Sequence, residues 1–492
     1  MSERQLTAVL VGLMVIVAAG MVVLWFRTVP PLAVEMRVAE LNPEQRAGTF
    51  KPSNPADARY SSSGASVEED EVVDFNGNFE TFDGRPGDGS ATWPRFRGAD
   101  FSNLVTSGPA LADQWGESGP PVLWSVSLSE GHSGPAVWGG VVYVMDYDED
   151  REGDMVRCFS LADGKEIWRR WYHAPTKRNH GVSRTVPAVT EAYVVTMGPR
   201  CHVMCLDRPT GDLLWGMDLV REQGSEVPLW YTGQNPLIDD GVVVLAPCGT
   251  GTLLMGVDAA SGKVLWETPN PDRWKMSHSS VAPMTLLGRR MYIYAALGGV
   301  VGVSAEDPDR GRVLWKLTNW VHSVLAPSPI AVDDHRLFLT AGYGGGSMMA
   351  GLVEEAGVIR AETLFRLEKT VFGCEQHTPV LWQGRLYGVL PKDAAELRAQ
   401  FACLGLDGQL VWTSGKTERF GLGPFLFADG KFFILNDNGE LTLARASEQG
   451  YERLARARVL HGRDAWAPMA LVDGRLLLRD SERLVCLDVR NH

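Results

Sequence analysis

Polar side chains of the kinds that hold ligands recur at one sort of place in this sequence, ahead of a proline. They are His132 before Pro135, Arg184 before Pro187, Gln234 before Pro236, His278 and Ser280 before Pro283, and His322 before Pro329, with Glu375, Gln376 and His377 before Pro379. Neutral imidazoles offer nitrogen lone pairs to a metal, and a guanidinium presents a fixed charge to an anion. Brought together, these groups would bind a metal or an anionic ligand. Their spacing matches no metal motif, and the same residue types serve equally as polar rim residues that hydrogen-bond turn backbones. Hydrolytic and phosphate chemistry finds no support: the sequence has no Gly-x-Ser-x-Gly elbow with a plausible partner set, no Walker loop and no His-Glu-x-x-His. The run Gly342-Tyr343-Gly344-Gly345-Gly346 follows a strand pattern with no helical pattern after it, and is read as a tight hairpin.

The elements that position these residues repeat. A first-strand motif starts eight times, at Pro135, Pro187, Pro236, Pro283, Pro329, Pro379, Pro424 and Pro468. The starts are about 45 to 50 residues apart, the length of four short strands with their turns. The second half of the repeat ends on a tryptophan, at Trp168, Trp215, Trp266, Trp315 and Trp412, with Gly164, Gly211, Gly262 and Gly311 four residues ahead of the first four. Two copies lack the tryptophan, one near Phe365 and one near Leu454. Glycine supplies the positive φ of a tight hairpin, and the indole is expected to lie across the next unit with its N–H on a carbonyl. These tryptophans, with Trp124, are therefore read as docking one unit onto the next. The pattern predicts an all-β, eight-bladed propeller over residues 91–492. After Pro468 there is sequence for three strands only, and the missing fourth stands at the other end, from Pro121 to Leu128. Pairing the two ends in one blade would remove both open edges.

Ahead of the repeats, Leu6 to Phe26 is an apolar run without charge, long enough to cross a bilayer. The apolar stretch continues past Ala18-Ala19-Gly20, so residues 1–26 are read as an uncleaved transmembrane anchor with the bulk of the chain outside the cytoplasm, on the periplasmic side. Residues 27–90, rich in Pro, Ser, Gly and acid, are read as a flexible linker. The formal net charge of -13 offers no cationic field for nucleic acid. The 7 cysteines are odd in number and scattered, which makes no disulfide framework and fits buried small hydrophobes.

The repeat resembles the pyrroloquinoline-quinone-type (PQQ-like) propeller repeat, in outline Ala-x-Asp-x-x-Thr-Gly-x-x-x-Trp, and the opening Trp93-Pro94-Arg95-Phe96-Arg97-Gly98 looks like the start of bacterial propellers of this type. The resemblance covers residues 91 to 490 or so and implies two kinds of function. Quinoprotein dehydrogenases of this superfamily hold the quinone in the central channel, commonly against a Trp and a disulfide of adjacent cysteines, with calcium and an Asp base. BamB-like subunits of outer-membrane protein assembly have no enzymatic activity. This chain has no adjacent cysteines, no Trp-x-Asp-like segment in the corresponding place and no Cys-x-x-Cys-His for a haem. The sequence is therefore read as a membrane-anchored, non-enzymatic interaction propeller of the bacterial cell envelope. It is expected to bind envelope proteins or peptides without cofactor or metal. The alternative is a PQQ-dependent dehydrogenase with calcium, or another ligand-binding enzyme using the central channel.

Overall fold

The structure, a computed structural model, describes residues 72–491 apart from 117, 446 and 448. The expected transmembrane anchor, and the linker as far as residue 71, lie outside the described residues. Among the described residues no helix is long and apolar enough to cross a membrane.

Eight sheets make up the fold, an eight-bladed β-propeller. Blades 1 to 7 span residues 136–173, 188–218, 237–269, 282–317, 330–367, 380–413 and 425–458, each four antiparallel strands in chain order. In blades 1, 3, 4, 6 and 7 the inner two strands are joined by two-residue turns in which both residues have positive φ. Asp240-Gly241 (50° and 76°) and Asp429-Gly430 (49° and 73°) are examples. Such turns match the right-handed twist of the strands they connect. The eighth sheet takes strands from both ends of the chain: Ala470–Val472, Arg475–Arg479 and Arg483–Asp488, with Val122–Ser127 antiparallel to the last. Trp124 stands opposite Cys486 in that pairing.

A single irregularity explains how the tryptophans work. Where the third strand of a blade pairs with the fourth, the register shifts by a bulge beside the residue opposite the tryptophan: Cys158↔Trp168, Cys205↔Trp215, Gly256↔Trp266, Gly302↔Trp315 and Cys403↔Trp412. A bulge bends the strand and re-aims a side chain. In blade 5 the same position is held by Phe365, opposite Met349. The rings of Trp124, Trp168, Trp215, Trp266 and Phe365 meet the hairpin glycine of the next blade. A Cβ at Gly164 would lie 2.8 Å from the Trp124 indole, at Gly211 3.1 Å from Trp168, and at Gly408 3.0 Å from Phe365. The glycine is thus required twice, for its φ and for the flat ring lying on it.

The linker was expected to run to residue 90, and here the expectation is corrected. Asn78–Thr81 is a strand paired antiparallel with Trp168–Trp171, a fifth strand on the outer edge of blade 1. Phe75 packs on Tyr172 at 5.2 Å and Phe79 on Trp168 at 5.9 Å. Two aromatic anchors bury enough apolar surface to order a stretch whose composition as a whole reads as solvated.

Candidate functional site

Residues 93–105 run across the centre of the ring at one end of its axis. Trp93 pairs with Val137 of blade 1, and the Pro94 carbonyl accepts from the Val189 amide of blade 2 at 2.7 Å. Arg95 donates to the Ile238 carbonyl of blade 3, and Leu104–Val105 pairs in parallel with the inner strand of blade 7. Arg97 is 6 % exposed and has φ 64°. Its guanidinium donates to the carbonyls of Thr378 (2.7 Å) and Pro379 (2.9 Å) in blade 6 and of Phe101 (2.7 Å) and Ser102 (3.1 Å) in its own segment. This short motif therefore plugs the channel with its polar groups on blade carbonyls. The space it leaves against His377, bounded also by Phe96, Pro424 and Met469, is about 10 Å³, room for about one water.

The side chains immediately before the repeat proline at Asn235, Ser328 and Thr378, and three residues before it at Ser280, have a different duty from channel lining. The Asn235 side chain accepts from the Val186 amide (2.6 Å) and donates to Ser280 Oγ (2.8 Å). The Ser280 amide donates to Ser328 Oγ (3.1 Å), and the Ser328 amide to Thr378 Oγ1 (2.9 Å). These bonds link blades 2 to 6 in a buried girdle. Ser280 and Gln234 were both read as channel lining, and the structure places both elsewhere. Ser280 belongs to the girdle, while Gln234, fully buried, exchanges two hydrogen bonds with the Ala246 backbone of its own blade.

The remaining candidates stand at the end of the axis opposite the plug, on the loops that enter the blades. His132 is bonded through Nε2 to the His180 carbonyl (2.8 Å) and lies 5.1 Å from the Trp466 ring. Arg184 Nη2 donates to the carbonyls of Asn179, His180 and Gly181, and its Nε has no partner. Glu375, 3 % exposed, forms an ion pair with Lys392 at 2.9 Å. His322 packs edge-on against Trp320 at 4.2 Å. His377 faces the plug cavity rather than the mouth, and Gln376 beside it is half-buried.

Burial, reinforced by the charges of Arg184 and Arg479, pushes the His132 imidazole down to about 3. Burial with Arg184 pushes His278 down to about 4, burial with Arg366 does the same to His322, and burial with Arg97 to His377. At neutral pH all four imidazoles are neutral hydrogen-bonding groups. Burial also lowers Arg184 itself to about 10, which leaves it charged.

Sequence reasoning missed the aromatic part of the site. Trp230 stacks on His278 (6.2 Å, 29°) and on Tyr343 (5.9 Å, 25°), and Lys392 lies over the Tyr343 ring at 5.1 Å. Trp230, Tyr231 and Tyr343 all have left-handed backbone, φ 61°, 70° and 52°. Bulky residues seldom adopt that conformation, which is strained outside glycine. The available signal was Pro228-Leu229-Trp230-Tyr231, an aromatic pair off the repeat period, and a tyrosine inside a glycine run. That run does form the hairpin expected of it, between Arg336–Ala341 and Gly346–Glu355.

A family model described as outer membrane protein assembly factor BamB matches residues 151–344. The chain carries the PQQ-like propeller repeat. BamB from Moraxella catarrhalis is similar in structure, with 14% identity, a TM-score of 0.51, and 75% of this chain and 99% of that chain covered. A europium-containing methanol dehydrogenase is similar too, with 13% identity, a TM-score of 0.55, and 79% of this chain and 89% of that one covered. No curated protein matches the chain. These likenesses establish the fold, which an assembly factor and a dehydrogenase share.

PQQ-like propellers with dehydrogenase activity imply a quinone and calcium, and the residues here do not fit that pair. Calcium takes six to eight oxygen ligands, several from carboxylates. The one carboxylate among the mouth candidates, Glu375, is neutralised by Lys392. Among the described residues no group of three His, Cys, Asp or Glu side chains could hold a metal ion. The seven cysteines are buried and none is in a disulfide.

Proposed function

We propose that this protein is a membrane-anchored, non-enzymatic interaction propeller of the bacterial cell envelope, which takes a segment of another envelope protein at the channel mouth. The observation that carries this reading is the filled axis. With residues 93–105 occupying one end, the ring offers at the other an aromatic surface with a guanidinium and an ammonium, in place of an enclosed reaction chamber. Aromatic and arginine side chains dominate the energetics of protein interfaces. The assembly-factor family match is in keeping with that role. Residues 6–26 supply the anchor in this reading, and the following residues space the propeller from the membrane on its periplasmic side. The sheet shared by the two ends serves as the closure of the ring, covering edges that would otherwise pair with other chains.

Crosslinking tests the partner. A photoreactive residue at exposed Val227, in the mouth loop, is expected to capture a discrete envelope protein in cells, and one at exposed Val353 on the blade 5 hairpin is not. Equal capture from both positions would count against the mouth. Dye reduction with alcohols or sugars after addition of PQQ and calcium would favour the dehydrogenase instead. Release by alkaline extraction would argue against the anchor. A chain ending before Arg483 should lose its cooperative unfolding if closure holds the ring.

A further inference from the structure

Arg184 is a half-buried cation at the mouth. Three backbone carbonyls accept from its Nη2, its Nε meets no acceptor, and it makes no ion pair among the described residues. Glu130, the carboxylate whose field reaches it, is held by Arg178 at 2.6 Å. A half-buried guanidinium without a counter-charge is costly, and a planar carboxylate is the partner its fork geometry accepts best. Glu375, the other carboxylate nearby, is held by Lys392. The charge of Arg184 is felt by His132, His278, Tyr231 and Tyr343, and the last two have left-handed backbone, as does Trp230, whose ring packs with those of His278 and Tyr343. Strain of this kind persists where the surroundings hold a side chain in a set place, and here it holds ring faces beside an unpaired cation.

We propose that the mouth is a carboxylate-recognition site: Arg184 receives the carboxylate of an acid that carries an aromatic ring, and the ring lies against the Trp230 and Tyr343 faces. This rests on the interaction role above. The acid is the C-terminal residue of a protein segment or a free aromatic acid, two sources with the same chemistry.

Isothermal titration of the full chain in detergent separates them, with three probes: the tetrapeptide Ala-Ala-Ala-Phe as its free acid, the same peptide as its C-terminal amide, and phenylacetate. The free acid is expected to bind at least about tenfold more tightly than the amide, the usual scale for a charge-assisted hydrogen bond. Arg184→Gln should remove the preference for the acid, and Tyr343→Ala should weaken both acids, while Arg360→Gln on the outer strand of blade 5 changes neither. A peptide acid much tighter than phenylacetate identifies a chain terminus, and equal affinities identify a free aromatic acid. Equal binding of acid and amide to the unmutated protein, or no heat from any probe, overturns the proposal whether or not the variants fold. If all probes fail while Val227 still captures a partner, this proposal falls and the interaction role stands.

Discussion

Two arginines, Arg97 and Arg184, mark the two ends of the propeller axis, and they differ in what surrounds their guanidinium groups. Arg97 makes four hydrogen bonds to carbonyls, two of them to the inner strand of blade 6, and joins a plug to the ring. Arg184 bonds only the loop that carries it and leaves Nε unpartnered. The plug end is core anchored on blade carbonyls, with Arg95 Nε and His377 Nε2 the buried polar atoms left without a partner there. The mouth end holds unpartnered polar atoms, neutral imidazoles and aromatic residues on strained backbone, features that cost stability rather than add to it. Burial of a cation is thus no index of its role.

The largest effect expected from this contrast is a response to acid. His132 titrates near about 3 in the folded chain, and His278 and His322 near about 4, all below the ordinary 6.5. Their folded pKa values are depressed, so their contribution is complete above the unfolded value and is lost as pH falls toward the folded ones. Each costs about 1.4 kcal/mol per pH unit over that window, on the order of 5 kcal/mol together by about pH 5. Asp437, at the same end and raised by burial, opposes part of this. Hydrogen exchange should therefore show the mouth loops losing more protection between about pH 6.5 and 4 than residues 93–105, which face one such imidazole, His377, against three at the mouth. Uniform loss at both ends would erase the distinction.

Next in size is the exchange of each arginine for methionine. Arg97→Met strands the buried carbonyls of Thr378 and Pro379 and should lower the unfolding free energy by about 3 kcal/mol or more. Arg184→Met removes an unpaired charge and should change it by no more than about 1 kcal/mol in either direction. Urea unfolding of both variants decides the matter, and equal losses would mean that the mouth arginine is structural too.

What was legible in the sequence follows the same division. Gly211 and Trp215 recur at fixed spacing because a hairpin glycine must both turn the chain and receive the preceding blade's ring, so eight blades could be read from residue types alone. Phe365 kept the position with a smaller ring and was still recognisable as a degenerate copy. The site was half legible. Polar residues ahead of each proline were legible as a class, yet Gln234 and Ser280 turn out to serve the blades, because they lie in loops with no strand period and their side chains are taken up by blade partners. Trp230 and Tyr343 belong to no period, so nothing but folded geometry could bring them together. The strand Asn78–Thr81 was hidden by its acidic surroundings.

The smallest effect asks whether donor satisfaction, which separates the two arginines, also grades residues within the regular blades. The Trp215 indole donates to the Ala259 carbonyl of the next blade at 2.9 Å, as Trp124 does to Leu161 and Trp412 to Ser447. The Trp266 indole, one blade on, has no acceptor and stacks on Tyr292 at 5.8 Å, and Trp315 turns its N–H to the Met291 sulfur. Replacement by phenylalanine removes a similar ring area at either site, so the hydrophobic losses nearly cancel in the comparison. What remains is one hydrogen bond, and Trp215→Phe should therefore cost about 1 kcal/mol more than Trp266→Phe in urea unfolding. Equal costs would mean that ring contact alone docks the blades, and that the indole N–H is a by-product of choosing the largest flat side chain.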